Sequence, residues 1–307
     1  MLRTTFIALS NNKRLRAWSE HSSLGRRLSG RFVAGTTLEE GIAAAERINR
    51  QGMRATLDSL GENVATPEAA ERAAEIYHQL LDGIHQRGLR ANVSLKLTQM
   101  GMDLDPALAE RVVGGLVEHA GRVGSFVRVD MEGSAYTEAT LALVERLHQP
   151  GSSLRVGAVI QSYLRRSAAD VGRLLQQGIS IRLCKGAYKE PAEIAFPAKS
   201  DVDANYIQLM QRMLMSGVYC GLATHDEAIV RQARAFAEKK GIARKAFEFQ
   251  MLYGVRRDLQ KQLVEDGYRV RVYIPFGTEW YPYFMRRLAE RPANAIFIAK
   301  NMLKGKG

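Results

Sequence analysis

The chain is poor in cysteine and in long apolar runs. Two cysteines among 307 residues, Cys184 and Cys220, exclude a disulfide framework and supply no metal-ligand spacing, so a reducing cytoplasm is the expected home. No segment approaches the ~20 apolar residues that a membrane span needs. The N-terminal run from Phe6 to Leu9 is too short for the core of a signal peptide. No G-x-G-x-x-G follows the first strand-like segment and no G-x-x-x-x-G-K-[ST] occurs, which removes the dinucleotide and P-loop fingerprints. Of six histidines, His225 alone falls at a strand end and the others lack ligand spacing; no metal site is expected. Low-complexity linkers are missing too, which argues for a single domain.

Charge of one sign is plentiful. Lysine and arginine number 44 against 32 acidic residues, a net charge of +12, which favours an anionic partner. That partner is a phosphate-bearing cofactor, an anionic substrate or an acidic membrane surface. The excess is dispersed, apart from clusters at Lys13–Arg16 and Lys239–Lys245, and basic and aromatic residues do not interleave along one segment. A nucleic-acid partner is therefore not expected.

From residue 54 onward the pattern alternates. Strand-like runs at 55–62, 91–98, 125–132, 155–163, 179–188, 219–226, 247–252 and 269–276 are each followed by a helical segment. Eight strand–helix units predict an α/β fold, a distorted (β/α)8 TIM-like barrel over 54–307 with extra N-terminal helices in 1–53 packed on it. A doubly wound open sheet is the rival architecture. The run TLEE before GIAAAERINR reads as the capped start of an N-terminal helix, with Thr37 or Thr36 as N-cap and Glu39 or Glu40 in the first turn.

In a barrel, chemistry gathers at the C-terminal ends of the strands. Those ends here carry Asp58 and Glu62, Lys96, Asp130 and Glu132, Gln161, Arg182 and Lys185, Thr224 and His225, Gln250 and Tyr273. Lys96, between Leu95 and Leu97, needs an anion, either Asp130 or a substrate carboxylate. Gly186-Ala187 would let backbone approach a ligand closely. The last unit is the most telling. Its helix places Tyr281, Phe284, Met285 and Leu288 on a core-facing stripe, and Tyr283, Arg286, Arg287 and Glu290 on another. Alone, RRxxE is a solvated helix face; among aromatic rings, paired arginines suit a bidentate carboxylate clamp. Two rivals stay in view: a class I aldolase-like barrel with a Schiff base on Lys96, and a basic nucleic-acid-binding module.

The ordered motifs LDSLGE, SLKLTQ, VRVDME, IQSYL, RLCKGAY, ATHD, FEFQMLYG, YIPFG and WYPYFMRRLAERP resemble the proline dehydrogenase family, in its monofunctional bacterial type. The resemblance runs from about Phe32 to Asn294. It implies oxidation of L-proline to Δ1-pyrroline-5-carboxylate on a flavin, FAD with FMN the alternative, reoxidised by a membrane quinone. It puts Lys96, Arg286 and Arg287 on the proline carboxylate, with Asp130 beside Lys96 to hold its charge. Leu252, Tyr273 and Tyr283 would wall the ring, and Arg182 would sit against the isoalloxazine. Met131, Gln161, Lys185, Gly186, Ala187, Thr224 and His225 match flavin-contacting positions. Glu290 would brace the arginines, and Glu62 matches a gate that pairs with Arg286 in the empty site. Cys184 stands where the family more usually has valine and is read as a buried, inert thiol. The chain leaves no room for the aldehyde dehydrogenase module of bifunctional relatives, so a separate pyrroline-5-carboxylate dehydrogenase is expected downstream. Peripheral attachment to the inner face of the cytoplasmic membrane is expected from the charge.

Overall fold

The computed structural model describes residues 29–148 and 156–290. Positions 1–28 of the expected N-terminal helical segment, the Lys13–Arg16 cluster among them, lie outside the described residues. Eight strands form one closed barrel in chain order, and the open sheet is overturned. They are β1 (Arg54–Ser59), β2 (Ala91–Leu95), β3 (Val127–Val129), β4 (Val156–Gln161), β5 (Ser180–Cys184), β6 (Gly221–Ala223), β7 (Glu248–Leu252) and β8 (Arg269–Phe276). All pairs are parallel, and β8 closes on β1 with Thr56 opposite Tyr273 and Asp58 opposite Pro275.

Nine helices lie among the described residues: α1 (Leu38–Arg50), α2 (Pro67–Gln86), α3 (Pro106–Arg122), α4 (Thr137–Leu147), α5 (Ser167–Gln176), α6 (Lys199–Met215), α7 (Glu227–Lys239), α8 (Arg257–Glu265) and α9 (Trp280–Glu290). Local chemistry starts many of them. Thr37 and Glu40 form the reciprocal capping box of α1, and Thr66 and Asp105 cap helices whose first residue is proline. Most strands are shorter than their motifs. Lys96, Asp130, Thr224 and His225 follow the last ladder residues of β2, β3 and β6. Freed from the ladder, the chain turns these polar side chains toward a shared mouth.

The ring of helices is irregular at the β8–β1 seam. There α1, not α9, packs along β1, β8 and α2, with Ile42, Ala45 and Ile48 in the main apolar core. Helix α9 instead joins a second apolar cluster with Phe32, Val33, Leu60 and Val255. The turn before α9 is Gly277, whose φ of 121° suits glycine and whose N–H is held by the Gly35 carbonyl at 3.0 Å. A helix kept off the barrel flank in this way can carry its side chains over the strand ends.

The barrel interior is polar where such barrels are usually filled by branched aliphatics. Thr56, Asp58, Asn92, Ser94, Arg128, Ser180, Arg182, Glu248 and Gln250 are all buried. Buried charge is tolerated when paired and hydrogen-bonded. Arg271 Nε lies 2.6 Å from Glu248 Oε1, and its Nη1 donates to the Ala55 carbonyl at 2.7 Å and to Asn92 Oδ1 at 2.5 Å. Arg128 Nη1 donates to the Ala158 and Ser180 carbonyls at 2.9 and 2.6 Å, and its Nη2 to Ser180 Oγ at 3.0 Å.

Candidate active site

Within that polar interior, six strands contribute to one cluster toward the C-terminal strand ends. Arg182 on β5 donates from Nη1 to Asp130 Oδ1 at 2.7 Å and from Nε to Gln250 Oε1 at 2.5 Å. Asp130 also accepts from Ser94 Oγ at 2.6 Å. The Tyr273 hydroxyl lies 2.7 Å from Asp130 Oδ2 and 2.7 Å from Asp58 Oδ2. One phenolic proton serves only one of those oxygens, so the second contact calls for a proton on a carboxyl. Burial pushes Asp58 upward from the ordinary carboxylate value, against the opposing pull of Lys96.

Lys96 Nζ stands 3.5 Å from Asp58 Oδ2. Its partner is therefore Asp58 and not Asp130, a correction to the pairing expected from sequence. Asp130 is engaged by the guanidinium fork of Arg182, which makes a shorter charge-assisted bond, and reaches Lys96 only through space. Burial opposes the Lys96 charge, yet Asp58, Glu62 and Asp130 outweigh it and raise its pKa. A Schiff base needs the neutral amine, so this ammonium argues against the aldolase-like alternative.

Helix α9 supplies the next layer. Arg286 Nη2 lies 3.0 Å from Glu62 Oε1, and the Arg287 guanidinium sits 5.1 Å from the centre of the Tyr283 ring one turn earlier. Tyr281, Phe284, Met285 and Leu288 are buried, and so are Trp280 and Tyr283. Leu252 packs against the same cluster. Glu290 ends α9, and its side chain lies outside the described residues.

On the other side of the mouth, Lys185 is held by Asp203 at 2.6 Å and by Asp226 at 3.0 Å. Gln161 donates to the Glu132 carbonyl at 2.8 Å. The Leu252 N–H donates to His225 Nε2 at 2.9 Å, which assigns the ring proton of a neutral imidazole to Nδ1. Thr224 Oγ1 accepts from the Asp226 N–H at 3.1 Å. Met131 is buried in the main apolar core, while Gly186 and Ala187 are exposed. Gly186 has a φ of 112°, and a Cβ there would fall 2.2 Å from the Tyr163 ring. The close approach this glycine permits is to Tyr163. Burial pushes the Cys184 thiol up to about 12, away from thiolate chemistry.

Asp58 and Gln250 are legible in the sequence as polar strand residues, but without a role. Ser94 could have been found two residues before Lys96, because alternate strand residues share a face. Tyr77, whose hydroxyl is 3.2 Å from Asp58 Oδ1, and Asp203 carry no such signal, since each sits on a helix.

The model for the family described as proline dehydrogenase matches residues 41–300. The chain belongs to the proline dehydrogenase family. Proline dehydrogenase 1 of Bacillus subtilis (strain 168) is 42% identical over 305 residues, covering 99% of this chain and 100% of its own. The Deinococcus radiodurans proline dehydrogenase is 43% identical over 285 residues, 91% of each chain. Among solved structures, proline utilization A from Bdellovibrio bacteriovorus, inactivated by N-propargylglycine, matches with a TM-score of 0.82 at 25% identity. That match covers 94% of this chain and 36% of that one. As a member of the proline dehydrogenase family, the chain is an oxidoreductase that oxidises proline. Its closed barrel is the fold found in proline utilization A structures.

Proposed function

We propose that the chain converts L-proline to Δ1-pyrroline-5-carboxylate by passing a hydride to a bound flavin, FAD with FMN the alternative, which a membrane quinone reoxidises. One observation carries the reading. Arg286, from α9, is held by Glu62 above a cluster that contains Lys96 and Arg182. A small carboxylate arriving there can take the place of Glu62 on Arg286, with Arg287 and Lys96 as further cations. Glu62 thus acts as a gate that neutralises Arg286 until substrate arrives.

The donor set suits a flavin. Arg182 is a buried cation at the edge of the mouth, and Gln161, Thr224, His225 and Lys185 are polar groups around the same rim. When bound, the flavin would accept the hydride from the ring carbon next to nitrogen. Arg182 would stabilise negative charge developing there, in a site from which water is excluded. Asp130 holds Arg182 in place. Tyr273, Tyr283 and Leu252 would wall the proline ring and orient it. Gln161, Lys185, Gly186, Ala187, Thr224, His225, Met131 and Glu290 would hold the flavin.

The quinone, a cytoplasmic location at the inner face of the membrane, and a separate pyrroline-5-carboxylate dehydrogenase complete the proposal. The net charge of +12 and the end-to-end match to relatives named for one activity favour them. Among the described residues no helix is long and apolar enough to cross a membrane. The deciding experiment is one spectrum of the purified protein before and after anaerobic addition of L-proline. A flavin spectrum that bleaches is expected; a protein that binds no flavin, or whose flavin ignores proline, would overturn the reading.

A further inference from the structure

Gln250 lies deep in the barrel, and its orientation is determined from below. Its Nε2 donates to Glu248 Oε1 at 2.7 Å, while Glu248 also accepts from Arg271 Nε at 2.6 Å and from the Tyr219 hydroxyl at 2.9 Å. With its NH2 committed to that carboxylate, the amide must turn its oxygen upward, where it meets Arg182 Nε at 2.5 Å. Carboxylate and amide therefore form a directional relay with one low-energy arrangement. The neighbouring strand makes room for it. A Cβ on Gly221 would fall 2.3 Å from Gln250 Nε2, so any larger residue at that position would push the amide aside. Asp130 grips Nη1 of the same guanidinium at 2.7 Å. Two acceptors on different atoms of a planar fork determine its tilt as well as its position.

We propose that Gln250, oriented by Glu248 and given space by Gly221, is a positioning residue that sets the plane of the Arg182 guanidinium. This rests on the reading of Arg182 as the cation beside the flavin. Nothing in the arrangement requires Gln250 to touch substrate, so its loss should act on the flavin and not on the grip for proline.

The test uses the flavin-loaded protein and the variants Gln250→Leu, Gly221→Ala, Gln250→Glu and Arg182→Met. The flavin midpoint potential, the anaerobic flavin-reduction rate and the KM for proline are read together. Gln250→Leu and Gly221→Ala should shift the potential negative and slow reduction about tenfold or more, the loss of a hydrogen bond to a charged group, with KM unchanged. Gln250→Glu imitates the amide only while its carboxyl is protonated, since the acid then donates to Glu248 and accepts from Arg182. Its potential should approach wild type at low pH and fall more steeply with rising pH than the proton-coupled decline that the wild-type flavin itself shows. If Arg182→Met shifts the potential and Gln250→Leu and Gly221→Ala do not, the positioning role is refuted while the reading of Arg182 stands. If Arg182→Met itself changes nothing, that reading fails first. Should Gln250→Leu not fold, Gly221→Ala and the pH profile of Gln250→Glu decide, and a Gln250→Glu profile that tracks wild type at every pH overturns the proposal.

Discussion

Arg286 shows how little a residue's meaning depends on its neighbours in sequence. Its ion pair reaches back to Glu62, and burial, which opposes its charge, is outweighed by that carboxylate. If Arg286 and Arg287 grip the substrate carboxylate, Arg286→Met or Arg287→Met should raise the proline KM by about 10–100-fold, one charged hydrogen bond's worth. Flavin content should be unchanged. Steady-state kinetics beside an absorbance ratio check this, and wild-type KM values in both variants would remove the clamp. Arg271 has a different task. Glu248 is buried, and although burial disfavours its charge, Arg271 holds its pKa below the ordinary carboxylate value. Arg271→Met would strand that carboxylate and should cost about 3–5 kcal/mol of stability. Urea unfolding measures the loss, and an unshifted midpoint would show that the pair is dispensable.

Among the elements, α9 departs most from a regular barrel. Its motif announces a helix with an apolar and a charged stripe, and both stripes exist. What the apolar stripe packs on is not local information, because Phe32, Leu60 and Val255 come from three distant segments. Trp280, 2% exposed, anchors this arrangement edge-on to Phe284, ring centres 5.7 Å apart. Trp280→Ala should cost about 3–5 kcal/mol at that anchor and speed proteolysis of the C-terminal segment. Limited digestion would test it, and an unchanged cleavage rate would mean α9 is held elsewhere. On the outer flank, α2 and α3 are joined by His78 and His119, whose Nδ1 atoms lie 2.7 Å apart. Only one proton fits between them. Burial, and then His119, lower the His78 pKa from its ordinary 6.5, against the opposing pull of Glu75 and Asp82. The fold therefore favours neutral His78; this contribution is present above the unfolded value and is lost as pH falls from there through the lowered folded value. Melting temperature should drop between about pH 7 and 5.5, and His78→Gln should flatten that drop. An equal slope in both proteins would assign the pH dependence to other groups.

For the whole molecule, the excess of positive charge is a property of surface and not of fold. If it holds the protein on an anionic bilayer, binding to phosphatidylserine-containing vesicles should weaken steeply with salt. Co-sedimentation at low and high ionic strength checks this, and salt-insensitive or absent binding would sink the idea. Local pattern along the chain announces the eight strand–helix units, the capped start of α1 and the apolar stripe of α9, because these depend on periodicity and on residues within a few positions of one another. The chain also marks Lys96, Asp130 and Arg182 as candidates, since polar residues at strand ends must meet at one face of a barrel, and Arg286 through the paired arginines set among aromatic rings. Tertiary structure alone decided who pairs with whom. Lys96 found Asp58 and not Asp130, because the Arg182 fork, arriving across the barrel, competes better for Asp130. It also placed α1 at the β8–β1 seam and left α9 to lean over the strand ends. Such choices rest on distances between residues tens to hundreds of positions apart, where Coulomb and packing energies depend on geometry that no local pattern encodes.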